Sequence, residues 1–170
     1  MPTILIVGGP NGAGKTTFAT RWIASRGVGY EFVNADEVAR LLPASLSPGE
    51  RDLRAGRLML GRLDALLNEG ADIVLETTLS SGIYARRIPS WRATGYGIGL
   101  IYLRLPNVET SIARVAHRVT MGGHGVPERD LRRRFGRSLA NLDTYKPLVD
   151  EWEVWDSGGA DPILAERSPS

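Results

Sequence analysis

The stretch Gly8-Gly9-Pro10-Asn11-Gly12-Ala13-Gly14-Lys15-Thr16-Thr17 follows a short apolar run, Ile4 to Val7, and opens a segment with helical character, Lys15 to Arg26. Gly9, Gly14, Lys15 and Thr16 match the spacing G-x-x-x-x-G-K-[ST]. In a strand, loop and helix context, glycines let the backbone curl so that successive N–H groups face phosphate oxygens, and the helix adds its positive end. The reading assigns Gly9, Asn11, Gly12, Ala13, Gly14, Lys15, Thr16 and Thr17 to a nucleotide phosphate cradle. Lys15 is expected to reach the β- and γ-phosphates, and the Thr16 hydroxyl is the expected Mg2+ ligand.

Outward from that loop, strand and helix signals alternate. Strands are predicted at Thr3 to Val7, Glu31 to Ala35, Asp72 to Glu76, Gly97 to Leu105 and Glu151 to Trp155. Helices are predicted at Lys15 to Arg26, Glu50 to Glu69, Tyr84 to Trp91, Val108 to Val119 and Pro127 to about Tyr145. Leu53, Leu60, Leu63 and Leu67 set the helical spacing in the second of these, which Gly70 ends. Such alternation implies a single α/β domain over residues 1–170: a three-layer P-loop fold with a mainly parallel sheet and helices on both faces.

Composition narrows the classes. The chain has no cysteine, which excludes disulfides and thiolate metal sites and permits a cytoplasmic setting. Nothing approaches the ~18 apolar residues of a membrane span, so no membrane association and no targeting segment are expected. The formal charge of +2 does not by itself imply a broad nucleic-acid-binding face. Basic residues are nearly all arginine, the only lysines being Lys15 and Lys146, so the lysine in the loop reads as a compact point charge chosen for that place.

The loop is shared by several classes. GPNGAGKTT also fits transporter ATPases, but those need an LSGGQ-type signature before a strand that ends in an aspartate. Leu79-Ser80-Ser81-Gly82 follows a strand instead. A GTPase would need an N-K-x-D guanine-reading sequence, which does not occur. Two predicted strands deliver carboxylates to the edge where ligands bind in open α/β sheets: Asp36 after Phe32-Val33-Asn34-Ala35, and Glu76 after Ile73-Val74-Leu75. One acid could accept a hydroxyl proton or orient metal-bound water while the other holds an acceptor. The competing readings are an N-cap for Asp36, on a helix beginning near Glu37, and a strand-end acid bonding nearby backbone for Glu76.

Arginines cluster between Arg104 and Arg137. Arg118 ends one predicted helix, Gly122-Gly123-His124-Gly125 makes a turn, and Arg132, Arg133 and Arg134 lie on the next helix. This is the form of a lid, roughly residues 118–134, that neutralises charge on a transferred phosphoryl group and excludes water. Arg118, Arg133 and Arg134 are its candidates, Arg114 a weaker one, while Arg129 and Arg137 suit a solvated face. His124 contacts substrate or phosphate, or only bonds backbone. Trp152 and Trp155 point to opposite faces of the last strand and read as packing. Asp156 and Ser157-Gly158-Gly159 end it as a contact to adenine or an exit turn.

Gly9 to Thr17, Phe32-Val33-Asn34-Ala35-Asp36, Glu76-Thr77-Thr78-Leu79-Ser80, Gly122-Gly123-His124 and Arg132-Arg133-Arg134, in this order, resemble the short, zeta-toxin-like P-loop kinases. Zeta toxins are ATP-dependent kinases that phosphorylate UDP-N-acetylglucosamine on a sugar hydroxyl and are usually restrained by a small antitoxin protein. The resemblance implies ATP with Mg2+, a UDP-amino sugar as first acceptor, and Asp36 as base. It also implies Glu76 with Thr77 as substrate contacts, and lid arginines as charge neutralisers. A different class fits the same loop: a nucleotide-regulated ATPase or switch whose output is association with nucleic acid or a protein partner.

Overall fold

In the computed structural model, the described residues are 1–27, 29–43, 45–123 and 125–169, and the side chains of residues 36, 40, 48 and 52 lie outside the description. The chain runs β1 (Thr3–Gly8), α1 (Lys15–Arg26), β2 (Tyr30–Asn34), α2 (Ala35–Arg40), α3 (Pro48–Glu69) and β3 (Asp72–Thr77). It continues through α4 (Ile88–Ala93), β4 (Gly97–Arg104), α5 (Val108–Thr120), α6 (Glu128–Tyr145), a 3-10 turn at Lys146–Leu148, β5 (Glu151–Asp156) and β6 (Ile163–Arg167).

The six strands form one sheet in the order β2-β3-β1-β4-β5-β6. All neighbours are parallel except β5 and β6. Strand β1 lies at the centre, with Val7 beside Glu76 of β3 on one side and Ile101 of β4 on the other. The chain emerging from β1 therefore leaves at the carboxyl edge where connections part to opposite sides, the usual ligand crevice of open α/β sheets.

The period of two along the strands explains the layers. Ile4, Ile6, Ile73, Leu75, Ile98, Leu100 and Tyr102 face one core, which Ala55, Met59 and Leu63 of α3, Ile88 and Trp91 of α4, and Leu142 and Tyr145 of α6 complete. Leu5, Val7, Val74, Ile101 and Leu103 face the other, covered by Ala19, Phe18 and Trp22 of α1 with Phe135 of α6. Both faces are thus buried, as an interior parallel sheet requires. Trp152 packs on the first core and Trp155 on the second.

Helix α3 starts two residues earlier than its apolar spacing indicates, because Ser47 and Glu50 form a capping box. The Ser47 hydroxyl accepts from the Glu50 N–H at 3.4 Å, and the Glu50 carboxylate accepts from the Ser47 N–H at 3.1 Å. Leu53 is largely solvent-exposed, and the face that reaches the core is Ala55, Met59 and Leu63. The helix predicted at Tyr84 to Trp91 begins only at Ile88, with Pro89 in its first turn; the preceding residues are turns. Strand β2 stops at Asn34 and α2 begins at Ala35, so Asp36 is the second residue of a helix and not the end of a strand or the cap before Glu37. Strand β6 was not expected from the sequence. It is an exposed antiparallel edge without a buried stripe.

Candidate active site

The loop after β1 turns into α1 at Gly14, whose φ of 84° lies in the left-handed region that a side chain disfavours. Lys15 then begins the helix. Its ammonium is buried and donates to the Pro10 carbonyl at 3.0 Å, so it is folded back over the loop. The N–H of Ala13 also donates to that carbonyl, at 3.2 Å, closing the loop into a turn.

Parallel registry puts the ends of β1, β3 and β2 side by side and gathers three polar groups. Glu76 Oε2 accepts from the Thr16 hydroxyl at 2.9 Å and from the Asn34 amide at 2.7 Å. Glu76 and Asn34 are both buried, at 8% and 5% exposure. A buried carboxylate needs such donors, and their geometry fixes it directly beside the hydroxyl assigned to the metal. Sequence reasoning had singled out Glu76 and Thr16 but not their partnership, and it missed Asn34 altogether. The available signal was that Asn34 and Glu76 both lie near the carboxyl ends of their strands, at one edge of the sheet.

These residues line a cavity of about 430 Å³ that also takes in Thr77, Thr78, Tyr84, Arg118 and Arg134. Tyr84 donates to the Met59 sulfur at 3.6 Å, and burial, helped by Tyr145 and only partly offset by the Arg87 cation, pushes its phenol up to about 12. It therefore stays protonated at neutral pH. The α5–α6 hairpin brings Arg118 and Arg134 to the cavity from opposite ends of its turn. Arg133 is directed elsewhere: it pairs with Asp130 at 2.9 Å and does not line the cavity. Arg132 is held at the surface by Glu109 at 3.0 Å and Glu128 at 2.8 Å. The Arg132 guanidinium, mainly through its hydrogen bond, keeps the Glu109 carboxyl below its ordinary range. Arg129 and Arg137 are exposed. His124 and the Asp36 side chain lie outside the described residues.

Arg114 is half-buried between elements and donates to four carbonyls, those of Gly12, Ser157, Gly158 and Gly159. It borders both the first cavity and a second, of about 610 Å³, walled by Phe18, Trp22, Arg21 and the turn after β5. Ser157 was read as a base contact or exit turn; its hydroxyl donates to the Ala13 carbonyl at 2.7 Å. For Mg2+, the donor set at the loop is one hydroxyl and one carboxylate next to the phosphate cradle. Hard oxygen donors, few in number, suit an ion that keeps water and phosphate oxygens as its other ligands. Among the described residues no group of three or more His, Cys, Asp or Glu forms a self-sufficient metal site, and no helix is long and apolar enough to cross a membrane.

A protein of Haemophilus influenzae whose function is uncharacterized is 26% identical over 127 residues, 75% of this chain and 88% of that protein. The chain is similar in structure to a component of the PezAT chromosomal toxin-antitoxin system of Streptococcus pneumoniae, with a TM-score of 0.75 and 15% identity over 98% of this chain and 72% of that one. It is also similar to the AvrRxo1-ORF1:-ORF2 structure with ATP, at a TM-score of 0.72 and 20% identity, covering 98% of this chain and 58% of that one. The Pnkp1/Rnl/Hen1 RNA repair complex contributes a third likeness, with a TM-score of 0.65 and 23% identity over 84% of this chain and 45% of that one. At such identities the likenesses establish the P-loop kinase-like fold. The AAA_33 family model, described as an AAA domain, matches residues 4–138, from β1 into α6, and the chain belongs to that family.

Proposed function

We propose that the protein is a kinase that moves the γ-phosphoryl group of ATP to a hydroxyl of a small molecule. The observation that carries this reading is one cavity that joins the phosphate loop, the buried Glu76–Thr16–Asn34 cluster and the guanidinium-bearing residues Arg118 and Arg134. Cationic groups converging on the phosphate loop from a separate hairpin suit neutralisation of the charge on a transferred phosphoryl group.

In this reading the loop N–H groups and Lys15 hold the β- and γ-phosphates. Thr16 and the adjoining Glu76 carboxylate would hold Mg2+, which would offset phosphate charge. Arg118 and Arg134 sit where charge on the transferred group can be neutralised, and their approach narrows the access of water. Asp36, at the start of α2 beside the end of β2, is assigned the acceptor proton. Glu76 is held by two donors and Tyr84 stays protonated, which leaves Asp36 the better base. Thr77 and His124 are assigned to the acceptor.

The first acceptor class to test is a UDP-amino sugar such as UDP-N-acetylglucosamine, supported by the zeta-toxin resemblance and the likeness to the PezAT component. The same likeness supports a small antitoxin protein as partner. The alternative nucleic-acid switch draws less support, because Arg132 and Arg133 are spent on neighbouring carboxylates. The deciding experiment mixes the protein with Mg-ATP and a panel of UDP-sugars, nucleosides and free sugars and weighs the products by mass spectrometry. Gain of one phosphate on a UDP-amino sugar, absent with Lys15→Ala, is expected. ATP consumption without any phosphorylated acceptor would refute the small-molecule kinase reading.

A further inference from the structure

Three consecutive carbonyls of the phosphate loop are each bonded from outside the loop. The Ser111 hydroxyl donates to the Asn11 carbonyl at 2.6 Å, the Arg114 guanidinium to that of Gly12 at 3.3 Å, and the Ser157 hydroxyl to that of Ala13 at 2.7 Å. Ser111 and Ser157 are buried, at 1% and 5% exposure, so these hydroxyls have little water to turn to. Arg114 is anchored in turn by the carbonyls of Ser157, Gly158 and Gly159. The contact is close: at Gly12, where φ is 78°, an added Cβ would lie 3.0 Å from Arg114 Cβ and 3.2 Å from the Ser111 carbonyl oxygen.

A trans peptide points its N–H and its C=O to opposite sides. Holding the Asn11 carbonyl against α5 therefore turns the Gly12 N–H away from α5, and holding the Ala13 carbonyl against the end of β5 turns the Gly14 N–H away from β5. Both glycines line the phosphate side of the cavity. The intervening peptide is fixed differently, since the Ala13 N–H closes on the Pro10 carbonyl.

We propose that Ser111, Arg114 and Ser157 form an outer clamp that presets the phosphate-binding loop: positioning residues that touch no phosphate but decide which loop N–H groups face it. The proposal rests on the reading of the loop as a working phosphate site. Arg114 is thereby removed from the candidates for neutralising the transferred charge. It joins the loop to the turn after β5 that walls the second cavity, so one side chain ties the loop, α5 and that turn together. A preset loop binds phosphate without first ordering its backbone, which lowers the entropic cost of binding.

The test is titration of the full chain with magnesium tripolyphosphate, which presents phosphates without a base, read by calorimetry and by the backbone amide resonances of Gly12 and Gly14. Ser111→Ala and Ser157→Ala are expected to weaken binding by about 2- to 10-fold each, and Arg114→Met by about 10- to 100-fold. Ser111→Ala should blunt the response of the Gly12 amide, and Ser157→Ala that of the Gly14 amide, each leaving the other near its unsubstituted response. Unchanged affinity in all three variants, or equal loss of both amide responses in each variant, overturns the clamp. If the unsubstituted chain binds neither tripolyphosphate nor Mg-ATP, the phosphate-site reading fails and the clamp with it. Binding that is lost in Lys15→Ala upholds that reading, so a failure of the clamp alone is distinguishable.

Discussion

The phosphate loop and the α5–α6 hairpin are both cationic parts of one site, yet they are built on opposite terms. In the loop, the proposed function rests on backbone N–H groups and a single buried lysine, and the conformation follows from local chemistry: glycines at the turns, a strand before and a helix after. In the hairpin, the proposed function rests on side chains drawn from an excess of arginines, and place selects among them. Neighbouring helical residues point about 100° apart, so Arg134 reaches the cavity while Arg133 pairs with Asp130 and Arg132 with Glu109 and Glu128. A backbone site tolerates little substitution of its few special residues. A side-chain site can carry redundant neighbours at no cost to itself.

The sharpest way to break this comparison is at the two sides in turn. Lys15→Ala should lower kcat/KM by roughly 10³- to 10⁴-fold and weaken Mg-ATP binding, because its charge serves both ground and transition states. Steady-state kinetics with a titration of nucleotide would show whether both fall. Asp36→Asn should cost about 10²- to 10³-fold in kcat with Mg-ATP affinity nearly unchanged, as expected of a proton acceptor. Retained transfer would remove Asp36 from that role.

The hairpin is tested by neighbours. Arg134→Ala should lower kcat by about 10²-fold, whereas Arg133→Ala, which loses only an exposed ion pair, should stay within about twofold. Equal effects of the two would contradict the register described here.

The smallest expected effect concerns the strand edge behind the loop. Arg104 donates to Asp156 at 2.8 Å and to Glu166 at 3.0 Å, and chiefly through the first of these bonds holds the Asp156 carboxyl below its ordinary range. A carboxylate whose pKa is lowered by folding contributes stability above its unfolded pKa and loses it as the pH falls through the lowered folded value. Both partners are exposed enough for solvent to screen the pair, so the contribution stays below about 1 kcal/mol. Arg104→Met should therefore lower the thermal midpoint by a few degrees at most at neutral pH, a gap that closes on acidification. A gap independent of pH would assign it to packing alone.

The central strands and the loop were legible because their signals are local. Ile4 to Val7, Ile73 to Leu75 and Ile98 to Leu103 are runs of apolar residues too continuous for a half-solvated strand, and each proved to be an interior one. Strand β6 was illegible for the converse reason. Its residues are all exposed, so burial writes no alternation into them, and pairing with β5 alone defines the strand. The end of β2 was misread by one residue, because Asn34-Ala35-Asp36 suits a strand end and a helix start equally and the pairing of Asn34 with Glu76 decides between them.

What the sequence by itself determined is the phosphate-binding loop, the alternation that makes a doubly covered parallel sheet, and the arginine surplus available to a phosphoryl-transfer site. Each depends on residues within one turn or one strand of each other. The tertiary structure alone decided that Glu76 is shared by Thr16 and Asn34, separated from it by 60 and 42 positions in the chain. It alone decided that Arg134 and Arg118 face the cavity and that Ser111, Arg114 and Ser157 hold the loop carbonyls. The physical reason is that a hydrogen bond or an inward-facing charge is set by direction and distance in space, and strand order and helix rotation fix these only after the sheet has closed around β1.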